Sequence, residues 1–228
     1  MPKVATILAK RNADLAMEIG NYHFNGGAYD LEVAERAYRK ALRIDPAIQW
    51  GNYQLARVYF VRGEYDQALD AINRELEAWP ENFRALYVRG LISGYRGDLV
   101  QTERDFSRFI QYVPREWAGY NDLAWALAKQ GKHEEAKRAV ESALREIEDA
   151  AENPWLWNSL GAARLNLGEY PEAEQAFRQA RDAASSLTIS AWAATYPGND
   201  PAQGRDGIAV FTSAINRNLR KAIELQYR

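Results

Sequence analysis

Apolar positions recur three and four residues apart along most of the chain, the spacing that lines one face of an α-helix. Two of these stretches are nearly the same string: "VRGEYDQALDAI" at residues 61–72 and "NLGEYPEAEQAF" at 166–177. Aligned on their glycines, they belong to a series, Gly27, Gly63, Gly97, Gly131 and Gly168, spaced about 34 to 37 residues apart, each ahead of an amphipathic stretch. A small residue stands seven before each glycine (Gly20, Ala56, Gly90, Ala124, Gly161) and another follows it (Ala34, Ala68, Thr102, Ala136, Ala173). Small side chains at fixed phase mark where two helices touch. Four residues beyond the second set come Tyr38, Ile72, Phe106, Val140 and Phe177, on the same helical face and so predicted to fill the core. Pro46, Pro80, Pro114 and Pro154 are read as the stops after second helices, because the residue before a proline resists the α region. The predicted unit is helix, glycine turn, helix, stop.

This pattern, clearest in "NYQLARVYFVRGEYDQALDAINRELEAWP", resembles the tetratricopeptide repeat. The resemblance implies an all-α fold, a right-handed α-solenoid of antiparallel helix pairs, with five clear repeats over residues 13–46, 49–80, 83–114, 117–152 and 154–186. Residues 187–228 form a degenerate sixth repeat with a C-terminal capping helix, and the whole chain, 1–228, is expected to be one domain. Counting forward by the period puts Gly207, Phe211 and Ala214 in second-helix columns, with the sixth first helix, "SLTISAWAATYPG", cut short at Pro197. The final helix either caps the stack with its polar face or folds back into the groove. Departures from the pattern are the extra residues in "GGAYDLEVA", Thr102 and Phe109 in small-residue columns, and a fourth second helix expected to extend through "REIEDAAENP".

In the resembled family, first helices line a concave surface that meets the ligand. Reading that face off each first helix gives Met17, Asn21 and Phe24, then Trp50, Tyr53, Arg57 and Phe60, then Arg84, Tyr87, Leu91 and Tyr95. Later repeats add Asn121 and Trp125, then Trp155, Asn158 and Leu165, then Trp192 and Tyr196. Any one of these aromatics could be core. As a stripe offset from filled packing columns, they predict partly exposed rings interleaved with arginine and asparagine, the mixture found at binding hot spots. Such a surface suits an extended or helical peptide. The family's Lys and Asn clamp for a C-terminal carboxylate is not reproduced, since Met17 stands where its lysine would be beside Asn21.

Composition narrows the chemistry. With 29 Lys and Arg against 31 Asp and Glu the net charge is -2, which gives no global attraction to nucleic acid, and the stripe Arg36, Lys40 and Arg43 does not change that. Cysteine is absent, excluding disulfides and thiolate chemistry. His23 and His133, the only histidines, stand in no metal or triad spacing, and the acidic pairs read as solvated helix faces. "PGNDPAQGRDG", residues 197–207, is a turn that misses the calcium-loop spacing. No enzyme activity, cofactor or metal is expected. No apolar run reaches membrane-spanning length and no export signal is visible, so the default location is cytoplasmic, or the cell envelope if a leader has been removed. The expected role is a protein-interaction adaptor or assembly scaffold, open to self-association. The alternative is an envelope module that stacks its tryptophans on a polysaccharide.

Overall fold

A computed structural model describes residues 2–25, 29–195 and 201–227, with the side chains of residues 10–24, 29–195 and 202–227. Among the described residues all regular structure is helical. The chain divides into two compact units, residues 1–96 and 97–228, where the period predicts one domain.

The first unit holds α1 (Pro2–Asn25), α2 (Leu31–Ile44), α3 (Gly51–Val61), α4 (Tyr65–Ala78) and α5 (Phe83–Arg96). Helix α1 pairs with α2 and α3 with α4, while α2 also packs on α3 and α4 on α5. The second holds α6 (Leu99–Tyr112), α7 (Trp117–Lys129), α8 (His133–Glu146), α9 (Pro154–Leu167), α10 (Tyr170–Ala184), α11 (Ile189–Thr195) and α12 (Gly204–Gln226). Here α7 pairs with α8 and α9 with α10, with α6 on α7 and α8 on α9.

Local chemistry explains the boundaries. Asp30 caps α2 by accepting from the backbone N–H groups of Glu32 and Val33 at 3.1 and 3.0 Å. Ala34, Ala37, Tyr38 and Ala41 then form its buried face at helical spacing. Gly63, Gly97, Gly131 and Gly168 lie at φ +75°, +86°, +76° and +79°, the left-handed region that a β-carbon disfavours, so the period marks required turn glycines. Gly27 lies outside the described residues.

The two small-residue columns work as size pairs. A Cβ on Gly20 would sit 2.4 Å from the Tyr38 ring, and one on Gly161 would sit 2.7 Å from the Phe177 ring. Where the first member is alanine, Ala56 or Ala124, the partner column shrinks to Ile72 or Val140 in the same core. Departures are absorbed in the same way. Buried Phe109 fits because Gly119 on α7 leaves room for its ring, and the Thr102 hydroxyl donates to the Asp98 carbonyl at 2.8 Å. Gly161→Ala should therefore cost about 1–3 kcal/mol through overpacking, read as a lowered urea midpoint with an unchanged slope.

Three expectations about the second unit are corrected. Helix α8 does not extend through "REIEDAAENP": it stops at Glu146, Ile147 turns extended, and Asp149 enters the left-handed region. Ala150 in the following 3-10 turn is buried, and the Trp157 indole N–H donates to the Ala151 carbonyl at 2.7 Å, so these two contacts anchor a turn where the sequence predicts another helical turn. Pro154 does not close a second helix but opens α9, whose cap is Asn153, accepting from the backbone N–H groups of Trp155 and Leu156. The turn read over residues 197–207 does not reach Gly207. That glycine lies inside α12 with the Trp192 indole 2.1 Å from where a Cβ would stand, and α12 already begins at Gly204 within the stretch read as a loop.

Helix α12 packs chiefly on α10, as α9 packs on α8, and so takes the place of a first helix, not the second-helix place counted from the period. Ile215, Leu219 and Ala222 are its buried stripe, with Leu219 and Ala222 in one core with Ala173 and Phe177. In that position α12 covers α10, with short α11 as the interruption before it. Pro197 and Tyr196 lie outside the described residues.

Candidate functional site

The predicted face of the first unit is a layered one. At its base, the Tyr38 phenol donates to Asn21 Oδ1 at 3.0 Å, Gln54 Nε2 donates to the same oxygen at 3.0 Å, and Arg57 Nη1 donates to Gln54 Oε1 at 2.7 Å. This chain ties α1, α2 and α3 together and fixes the Arg57 side chain. The Arg57 guanidinium lies 4.6 Å from the Phe24 ring centroid and 5.6 Å from that of Tyr53, a cation held between ring faces. Burial lowers its pKa, and the like charge of Arg84 adds to the effect against the rise that Tyr53 and Tyr38 supply. Burial likewise pushes the Tyr38 phenol well above its usual range.

Rings flank this arginine at both ends of α3. Trp50 meets Tyr53 edge-on at 5.3 Å, and Phe60, Tyr65 and Tyr95 form a cluster with centroids 5.2–5.9 Å apart. Tyr95 is 65% exposed, and Arg84 is exposed as well. Trp50 turns out to have a structural duty: as the residue preceding α3 it holds φ +71° and has no side-chain cap of its own. The cap comes from Glu75 on α4, which accepts from the backbone N–H groups of Trp50 at 3.0 Å and Tyr53 at 3.2 Å and from Asn82 Nδ2 at 3.1 Å. Burial raises the Glu75 pKa, and these hydrogen bonds draw it back.

In the second unit, Trp155 is stacked between two rings, Trp117 of α7 at 5.3 Å and Phe211 of α12 at 5.3 Å. Neither indole face is therefore open to a ligand, a correction to its expected role. Asn158 accepts from Asn218 of α12 at 3.5 Å. Trp125 is 41% exposed with the Lys129 ammonium 5.9 Å from its ring, and Trp192 lies against Gly207.

Some predicted face residues are buried, because first helices are covered on more sides than the stripe assumed. Tyr87, Met17, Phe24 and Leu91 are core, and Asn121 is buried with its Oδ1 accepting from Ser159 Oγ at 2.7 Å, tying α7 to α9. The reading from sequence missed Tyr65, Trp117 and Phe211. Tyr65 was concealed by lying in the recurring string "RGEYDQA", which read as scaffold, while Trp117 sits one position before the column of Trp50, Arg84 and Trp155. Among the described residues, no group of His, Asp and Glu gathers as metal ligands would, and no helix is long and apolar enough to cross a membrane.

Comparison with known proteins agrees with this architecture. Residues 53–93 and 121–187 match a family model described as tetratricopeptide repeat. The cellulose synthase operon protein C of Pseudomonas fluorescens is 32% identical over 136 residues, 60% of this chain and 10% of that protein. A TPR repeat-containing protein of Pseudomonas aeruginosa is 26% identical over 192 residues, 76% of this chain and 32% of that protein. The chain thus spans between a tenth and a third of the length of these relatives. Among solved structures, MamA superposes with a TM-score of 0.66 at 20% identity, covering 78% of this chain and 97% of that one. YrrB, described as a TPR protein with an unusual peptide-binding site, does so with a TM-score of 0.65 at 19% identity, covering 81% of this chain and 92% of that one. Likenesses at such identity speak for the fold. Left-handed turn glycines, size-matched helix pairs and these matches lead to one conclusion: the chain is built of tetratricopeptide repeats, matched over residues 53–93 and 121–187.

Proposed function

We propose that the protein is a non-enzymatic adaptor that holds a segment of a partner protein against the aromatic first-helix surface of its first unit, chiefly Tyr53, Arg57, Phe60, Arg84 and Tyr95, with Trp125 a separate exposed ring of the second unit. The observation that carries this reading is the joining, on α3 and α5, of exposed ring surface with the ring-held Arg57 and its neighbour Arg84. Rings supply contact area at low entropic cost, and two guanidiniums favour a segment bearing a carboxylate. The peptide-binding site named for the similarly folded YrrB gives this mode a precedent on the same scaffold. Trp50 and Tyr87 serve the fold of the first unit, and Asn121 and Trp155 tie helices within the second. The carboxylates engaged in caps and ion pairs, such as Glu75 and Glu35, serve the fold.

A second reading, a cell-envelope polymer module, is favoured by the stretch shared with cellulose synthase operon protein C and by exposed Trp125. Titration of the full chain with an acidic-aromatic peptide library and with oligosaccharides, followed by tryptophan fluorescence, separates the two. The adaptor reading expects saturable responses to peptides alone. Saturation by oligosaccharides with no peptide response would replace it with the second.

A further inference from the structure

The outer face of α1 is apolar and uncovered: Leu15, Ile19 and Tyr22 are 54%, 43% and 60% exposed. Their spacing of four and three residues makes one stripe, on the side of the helix away from Gly20, where Tyr38 of α2 packs. Position by position, counted from the small residue of each repeat, this stripe is a repeat joint. The matching residues of α9 are Leu156, Leu160 and Ala163, all fully buried, with α8 packed on that helix. In α3 the matching residues begin at Gly51, where a Cβ would strike Leu42 and Ile48 beside α2. Elsewhere, then, the second helix of the preceding repeat covers this face, and on α1 nothing described does.

We propose that a second copy of this chain covers it, α1 against α1, antiparallel about a two-fold axis near Leu15. Two features select that occupant and orientation. The exposed side of α12 carries Arg217, Arg220, Lys221 and Glu224 with a single large apolar residue, Val210, a mostly charged surface ill suited to covering an apolar stripe, so head-to-tail stacking is disfavoured. Arg11 and Glu18, both exposed, lie on one edge of the α1 stripe, seven residues apart. A two-fold axis that runs the helices antiparallel sets like edges against each other, so Arg11 of each copy faces Glu18 of the other, twice per dimer. Parallel helices would set that edge against the one bearing Asn12 and His23, and the charges would go unmatched.

One helix pair makes a small interface, and a Kd on the order of 10 µM is expected. Sedimentation equilibrium of the full chain up to about 0.1 mM should show a monomer–dimer equilibrium. Leu15→Glu with Ile19→Glu should abolish it while the circular dichroism melt stays near wild type. Arg11→Glu or Glu18→Arg alone should weaken the dimer about tenfold, and the two together should restore it, a recovery that also decides the matter if the first variant loses helicity. A wild-type chain that stays monomeric throughout, a dimer that survives the Leu15 and Ile19 changes, or a charge reversal that does not recover would each overturn the proposal.

Discussion

Replacing Glu75 with alanine should destabilise the first unit by about 3 kcal/mol or more, a larger loss than any exposed ring substitution would cause. Glu75 is 1% exposed and is the cap that α3 lacks, since Trp50 ahead of that helix offers no side-chain acceptor. Alanine would leave the Trp50 and Tyr53 N–H groups and the Asn82 amide without this acceptor, at roughly 1–3 kcal/mol for each buried donor left unmet. Asn82 in turn accepts from the Ala85 N–H at the start of α5, so two helix starts share the loss. Glu75→Gln keeps the shape but turns one acceptor into a donor facing an N–H, and should fall between the two. The pH dependence has a definite sign. A carboxyl whose folded pKa is raised by burial favours folding most in its protonated form. Its contribution is therefore full below the ordinary glutamate value and is lost as pH climbs through the raised one. Urea midpoints for Glu75→Ala should lie well below wild type. Loss of under about 1 kcal/mol would mean that water replaces the cap without penalty.

Ending the chain after Gln203 should have the largest effect of all on the second unit. Helix α12 buries Ile215 and Leu219 and covers Phe177, itself fully buried. At about 1.5–3 kcal/mol for each large side chain, their exposure removes roughly 5–9 kcal/mol. That is comparable with the whole stability of a small domain. The truncated chain should lose its single cooperative melt, bind a hydrophobic dye and associate non-specifically. A sharp melt near the wild-type temperature would show that α10 needs no cap, and the assignment of α12 would fall.

The scaffold was legible because its requirements are local. A left-handed turn admits little but glycine, and a helix contact as close as Gly161 with Phe177 admits only a small residue, so both recur at fixed phase. What did not recur was harder to read. Gly207 follows the small-residue column and does meet a close neighbour, Trp192, yet the period does not show that its helix takes a first-helix place against α10. Glu75 stands in the column of Ala41, Phe109, Ala143 and Ala180, which marks the site as buried, but its capping role depends on the start of α3, twenty-five residues earlier in the chain. Trp155 read as an open ring because Phe211, which covers it, lies on a helix whose register was counted one place out. Tyr87 and Asn121 read as surface because a stripe drawn on one helix omits its neighbours.

The adaptor reading rests on the exposed face of the first unit, and Tyr95→Ala combined with Arg84→Ala tests it most directly, because both side chains are exposed. Binding of a library-selected peptide, followed by calorimetry beside a circular dichroism melt, should weaken by about 100-fold, two hot-spot residues at roughly 1–2 kcal/mol each, with the melt unchanged. Undiminished peptide affinity in a folded double variant would contradict the account and place binding elsewhere on the chain.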